Sequence, residues 1–224
     1  MAEKISYVTA DQVTIVGDWY PTPTMLGAVL LLHMMHSTRT SWAGLQRSLA
    51  KVGLASLAID LRGHGESTQG YKGALLDHRS FSDEEHLTAL NDVYYGVEWI
   101  KHRGLEPDRV AVCGASFGAN LAAKIMATHP SMPCGALLSP GIDLRGLNAF
   151  EDIQHLVSDQ ALYIAASEED KDSFKAANTI FDSAPVDRKI FTPYKGAGHG
   201  TEMFGSDVKL PDKIAEWMAG ILRG

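Results

Sequence analysis

The chain of 224 residues is 45% hydrophobic and 21% charged, ordinary proportions for a soluble globular protein with one sizeable core. Its net charge of −7, with no basic block anywhere, speaks against nucleic acid and against an anionic membrane surface as partners. No uninterrupted apolar run approaches spanning length and the opening MAEKISYVTA carries no apolar signal core, so a cytoplasmic protein is expected.

In chain order, the segment ISYVTADQVTIVGDWY holds no helical pattern and predicts an antiparallel hairpin at one edge of a sheet. The run AVLLL (Ala28 to Leu32) predicts a strand, and Trp42, Leu45, Leu49 and Val52 then share one helical face. LASLAI (Leu54 to Ile59) predicts the next strand. A capping box of Ser82 and Glu85 opens a helix with Leu87, Leu90, Tyr94 and Val97 on its apolar face. Four more strands follow as RVAVC (Arg109 to Cys113), CGALLS (Cys134 to Ser139), ALYIAA (Ala161 to Ala166) and KIF (Lys189 to Phe191). Cys113 and Cys134 lie in such runs and read as buried thiols, not as a disulfide framework. A last helix carries Ile214, Trp217, Met218 and Ile221, with Pro211 near its start. Strands this apolar are covered on both faces, and their alternation with helices predicts an α/β, doubly wound, mostly parallel sheet. With no repeat, low-complexity tract or linker, residues 1–224 are expected to form one domain.

The candidate chemistry centres on VAVCGASFGANLA (Val110 to Ala122), where Ser116 lies between strand and helix with Gly114 and Gly118 on either side. A serine in a strained strand-to-helix turn needs small neighbours two residues away, because strand and helix crowd together there. The helix that follows directs its N-terminal dipole at an anion forming near Ser116. A serine hydroxyl needs a base. His199, in the glycine-rich YKGAGHGTEMF after the last strand, is expected at the sheet edge where ligand sites collect. His36, His64, His78, His86, His102, His129 and His155 have weaker positional claims, and His33 ends a strand. The orienting carboxylate is expected to be Asp170 in ALYIAASEEDKDS, with Asp143 in SPGIDL as the rival and Glu168, Glu169 and Asp172 as solvated charges.

Four motifs in order, LLLHMMHSTRTSW, AIDLRGHGES, GASFG and GAGHG, make nearly the whole chain resemble the α/β-hydrolase superfamily, in its small, cap-less serine esterase form. The resemblance implies an eight-stranded sheet. It implies backbone N–H groups of Met35 and Phe117 as oxyanion donors, and structural roles for Asp60, Arg62, Gly63 and Gly65. The family's glycine after the first histidine is Met34 here, a residue that disfavours positive φ. Met34, Met35 and Met203 could line an acyl pocket, and each taken singly reads better as core. The expected chemistry is hydrolysis of a small-molecule carboxylic ester through an acyl-enzyme, with no metal and no organic cofactor. The same triad supports a thioesterase, a peptidase or a cofactor-free perhydrolase, and the fold also supports a non-catalytic ligand-binding protein. Only Ile142 to Gln160 separate two strands where a helical cap would be inserted, so an open site is expected, although the loop from Thr68 to Ser80 could fold over it.

Overall fold

The structure is a computed structural model and describes residues 2–223. Strands β1 (Glu3–Val8) and β2 (Thr14–Tyr20) form the antiparallel N-terminal hairpin. Then come β3 (Gly27–Leu32), α1 (Ala43–Lys51), β4 (Leu54–Ile59), α2 (Asp83–Leu87) and α3 (Ala89–Lys101). β5 (Val110–Ala115), α4 (Phe117–Thr128) and β6 (Cys134–Leu138) follow. A two-residue-strand hairpin, β7 (Asp143–Leu144) and β8 (Leu147–Asn148), leads into the short α5 (Ala149–Ile153). The chain ends with β9 (Ala161–Ser167), α6 (Lys171–Ser183), β10 (Arg188–Tyr194), α7 (Met203–Ser206) and α8 (Leu210–Leu222).

Eight of the strands form one sheet in the order β1-β2-β4-β3-β5-β6-β9-β10. From β4 to β10 neighbouring strands run parallel, and β2 joins β4 antiparallel. Strands β3, β4, β5, β6 and β9 are buried along their whole length, which explains their continuous apolarity: α3, α4 and α6 cover one face and α1 and α8 the other. The insertion between β6 and β9 amounts to the small hairpin and α5, so no cap domain is present among the described residues.

Two local expectations are revised and one helix is added. The strand expected over Lys189 to Phe191 extends through seven residues, because β10 pairs in register with all of β9. Helix α6 carries no pattern singled out above, yet it buries Ala176, Ala177 and Ile180 against the sheet. The buried face of α3 is Ala89, Val93, Val97 and Ile100, whereas Tyr94 is exposed. The reason is Gly96: a Cβ there would stand 3.1 Å from Leu30 Cδ1, so the helix presses on the sheet along the line of Gly96.

Candidate active site

Ser116 terminates β5 with φ 53° and ψ −119°, a strained conformation for a non-glycine residue. The two flanking glycines are what make this turn possible. A Cβ on Gly114 would stand 1.9 Å from the Gly118 carbonyl oxygen, and one on Gly118 would stand 2.2 Å from the Leu32 carbonyl oxygen. Strand β5, the start of α4 and the end of β3 thus meet backbone to backbone. The Ser116 N–H donates to the Leu138 carbonyl at 2.8 Å, fixing the turn to the end of β6.

The close approach of Gly118 to Leu32 and His33 brings the segment after β3 against the first turn of α4. Among the described residues, neither the Met35 N–H nor the Phe117 N–H donates to a protein acceptor. Positive φ in this segment falls on His36 (φ 61°) and not on Met34, so the methionine in the family's glycine position carries no backbone strain. His33 is buried. Its Nε2 accepts the Leu61 N–H at 3.0 Å and its Nδ1 lies 2.8 Å from the Met34 carbonyl, a neutral imidazole that braces the segment from beneath. Burial pushes its pKa down to about 4.

On the other side of Ser116, the chain leaves β10 into Lys195 to His199. Nδ1 of His199 lies 2.5 Å from Oδ2 of Asp170, which directly follows the turn after β9. The loop is seated against the elbow: a Cβ on Gly200 would stand 3.2 Å from Ala115 Cβ and 2.9 Å from Met34 Sδ. Among the described residues no hydrogen bond joins Ser116 Oγ to His199. The rival carboxylate, Asp143, is exposed in the β7–β8 hairpin, where its Oδ1 accepts the Gly146 N–H at 3.0 Å.

The remaining expected positions divide clearly. Met34 is partly buried against the core and lies beside Gly200 of the histidine loop, whereas Met203 is fully buried in the core cluster that holds Trp42, Leu210 and Ile214. Of the two readings of Met203, its full burial in α7 supports core and not a pocket wall. Asp60 and Arg62 are structural ties. Asp60 accepts the Arg39 N–H (2.8 Å), the Glu66 N–H (2.9 Å) and the Arg39 guanidinium. Arg62 donates to Asp92 from Nε (2.9 Å) and Nη2 (2.7 Å), and to Asp11. Glu169 is exposed, and it also accepts the Ser167 hydroxyl (2.8 Å) and the Gly196 N–H (2.5 Å). Ser139, Ser167 and Glu169 hold the histidine loop, and none of them has a motif that marks it in the sequence.

A surface cleft of about 530 Å³ opens beside the Met34–His36 segment. Residues of the loop that follows β4 (Thr68, Leu75, Leu76 and His78) form one wall, and His36, Thr38 and His64 lie opposite or behind. The His64 and His78 rings stack with centroids 3.6 Å apart, and His36 Nδ1 lies 3.1 Å from His78 Nε2. Ser116, Asp170 and His199 do not line this cleft. Among the described residues no group of His, Cys, Asp and Glu is arranged to hold a metal ion, and no helix is long and apolar enough to cross a membrane.

The fold recurs in solved structures. An esterase of Pyrococcus furiosus is similar at TM-score 0.80 and 18% identity, over 99% of this chain and 93% of that one. A dienelactone hydrolase of Anabaena variabilis is similar at TM-score 0.73 and 17% identity, over 100% and 97%. An α/β hydrolase of a Penicillium species is similar at TM-score 0.77 and 13% identity, over the whole of both chains. At such identities the likeness is one of fold. No curated protein sequence matches at a significant level. A family model described as "Serine aminopeptidase, S33" matches residues 23–166, well over half of the chain, and spans the elbow and the β3 and β4 motifs. The chain belongs to this family of the α/β-hydrolase superfamily and is a hydrolase.

Proposed function

We propose that the protein is a serine esterase that hydrolyses carboxylic esters of small or exposed acyl groups through an acyl-enzyme. The observation that carries this reading is the 2.5 Å contact between His199 Nδ1 and Asp170 Oδ2, on a loop whose next residue backs onto Ala115 beside Ser116. Asp170 keeps the imidazole proton on Nδ1. Nε2 then has a free lone pair and takes the hydroxyl proton as Ser116 Oγ attacks the ester carbonyl. The tetrahedral oxyanion is received by the N–H groups of Met35 and Phe117, and the loss of one such donor typically costs on the order of 100-fold in rate. The dipole of α4, whose first residue is Phe117, acts in the same direction. His199, now charged, protonates the departing alcohol. Water deprotonated by His199 then attacks the acyl-enzyme, and the acid leaves as Ser116 recovers its proton. No step requires a metal or organic cofactor.

The small insertion between β6 and β9 supports the open site and hence short acyl groups. The family's description favours one second reading, cleavage of an aminoacyl amide by the same groups. A fluorophosphonate probe together with a substrate panel tests both. The wild-type protein should label at Ser116 and hydrolyse p-nitrophenyl acetate and butyrate faster than the decanoate and faster than aminoacyl p-nitroanilides. Ser116→Ala should fold normally and lose about 10³-fold or more in rate. Normal turnover by a folded Ser116→Ala protein would sink the esterase and the peptidase alike, and preference for the anilides would select the peptidase.

A further inference from the structure

The geometry points to Ser139 as a positioning residue that sets the approach of the base to the nucleophile, an inference that rests on the assignment of Ser116 and His199 above. Ser139 follows the last residue of β6. It is fully buried and has φ 49°, a left-handed conformation that a serine adopts only when its surroundings impose it.

Its contacts explain why it is held there. The Ser139 hydroxyl oxygen accepts the N–H of Gly200, the residue after His199, at 2.9 Å. The Ser139 N–H donates to the Ala165 carbonyl at 2.8 Å, on the strand that leads to Asp170. The carbonyl of the preceding residue, Leu138, accepts the Ser116 N–H at 2.8 Å. Two consecutive residues therefore join the nucleophile turn, the base loop and the acid-bearing strand.

The base loop needs such an anchor. Gly196, Gly198 and Gly200 all have positive φ, so the loop is rich in conformational freedom and has no ladder of its own. Side-chain acceptors capture its N–H groups instead: Glu169 at Gly196 (2.5 Å), Ser167 at Ala197 (3.0 Å), Glu202 at His199 (2.9 Å) and Ser139 at Gly200. Among these four acceptors Ser139 alone adjoins the residue whose carbonyl fixes Ser116, so it acts on the separation between base and nucleophile rather than on the loop alone. Catalysis by proton transfer falls steeply with such misplacement, by up to about 100-fold for a shift near 1 Å.

The test compares Ser139→Gly and Ser139→Ala with the wild type on p-nitrophenyl acetate. Both remove the acceptor; glycine also relaxes the positive φ, so it retains the fold if alanine does not. The expected result is a kcat lower by roughly 10- to 100-fold, KM within about twofold, and a fluorophosphonate labelling rate reduced in proportion to kcat. In the wild type the Gly200 amide should be protected from hydrogen exchange. Values of kcat within twofold of wild type in a folded variant, or an unprotected Gly200 amide, would overturn the inference. Failure of the wild-type protein to label at Ser116 would instead remove the assignment on which it rests.

Discussion

Asp170 and Asp143 both come after strands of the central sheet, β9 and β6, yet their side chains meet different partners. Asp170 lies against His199 Nδ1, while Asp143 closes the turn of an exposed hairpin. The prediction at this scale is asymmetric. Asp170→Asn should lower kcat on a short-chain ester by roughly 10³- to 10⁴-fold, because an amide stabilises the wrong imidazole tautomer and cannot balance the imidazolium charge. Asp143→Asn should leave kcat within about twofold, since an asparagine oxygen still accepts the Gly146 N–H. Equal losses in both variants would argue against the assignment. The turn at Ser116 and the contact between His199 and Asp170 were legible because each of the three residues sits in a motif with a fixed relation to a strand end. The ties made by the exposed Glu169 were not legible for the opposite reason: its partners, Ser167 and Gly196, are defined by how β9 and β10 lie side by side, and a run of acids in a loop gives no sign of that.

At the level of elements, the strand-to-helix junction around Ser116 was the most legible feature, and its glycines carry a sharp consequence. A Cβ at position 114 would fall 1.9 Å from the Gly118 carbonyl oxygen, a backbone atom that no side-chain rotation can move away. Gly114→Ala should therefore destabilise the protein by about 3 kcal/mol or more, read as a fall in the denaturant midpoint at unchanged m. It should also abolish labelling of Ser116, because the turn must open. A variant with wild-type stability would show that β5 and α4 can separate without loss. Helix α3 shows where periodicity falls short. Its spacing located the helix and Leu90 packs against the core, but Tyr94 is exposed and the fully buried line passes through Val93, Gly96 and Val97, where the backbone comes close to Leu30.

For the molecule as a whole, buried histidines set the response to acid. Burial pushes His33 down to about 4 and His64 to about 3, against an ordinary value near 6.5 in the unfolded chain. Between these values the unfolded chain binds protons that the folded protein does not. The stability they contribute is thus complete above about pH 6.5 and is lost as pH falls toward 4. Asp92, pushed up to about 6 by burial, works in the opposite direction, but its displacement is smaller than those of the two histidines together. Asp11, held near 2 by hydrogen bonds from Arg62 and Thr9 that outweigh its desolvation, loses its contribution only at lower pH. The net expectation is a loss on the order of a few kcal/mol between pH 6.5 and 4, measurable by urea unfolding across that range. It should be reduced by His64→Gln, because an uncharged side chain leaves one histidine fewer to titrate. A flat profile would mean that these rings accept protons without disturbing the fold.

The sequence by itself determined the alternation of buried strands and helices, the elbow at Ser116 and the glycine-rich histidine loop, since each depends on residues within a few positions of one another. The tertiary structure alone decided that β2 pairs with β4, that His36 and Thr38 share a cleft with the loop after β4, and that the Ser139 hydroxyl meets the Gly200 N–H 61 positions further along the chain. Hydrophobic periodicity and turn chemistry are local properties of a chain. A hydrogen bond between two strand-end loops is set by which strands become neighbours, and that is decided by the packing of the whole core at once.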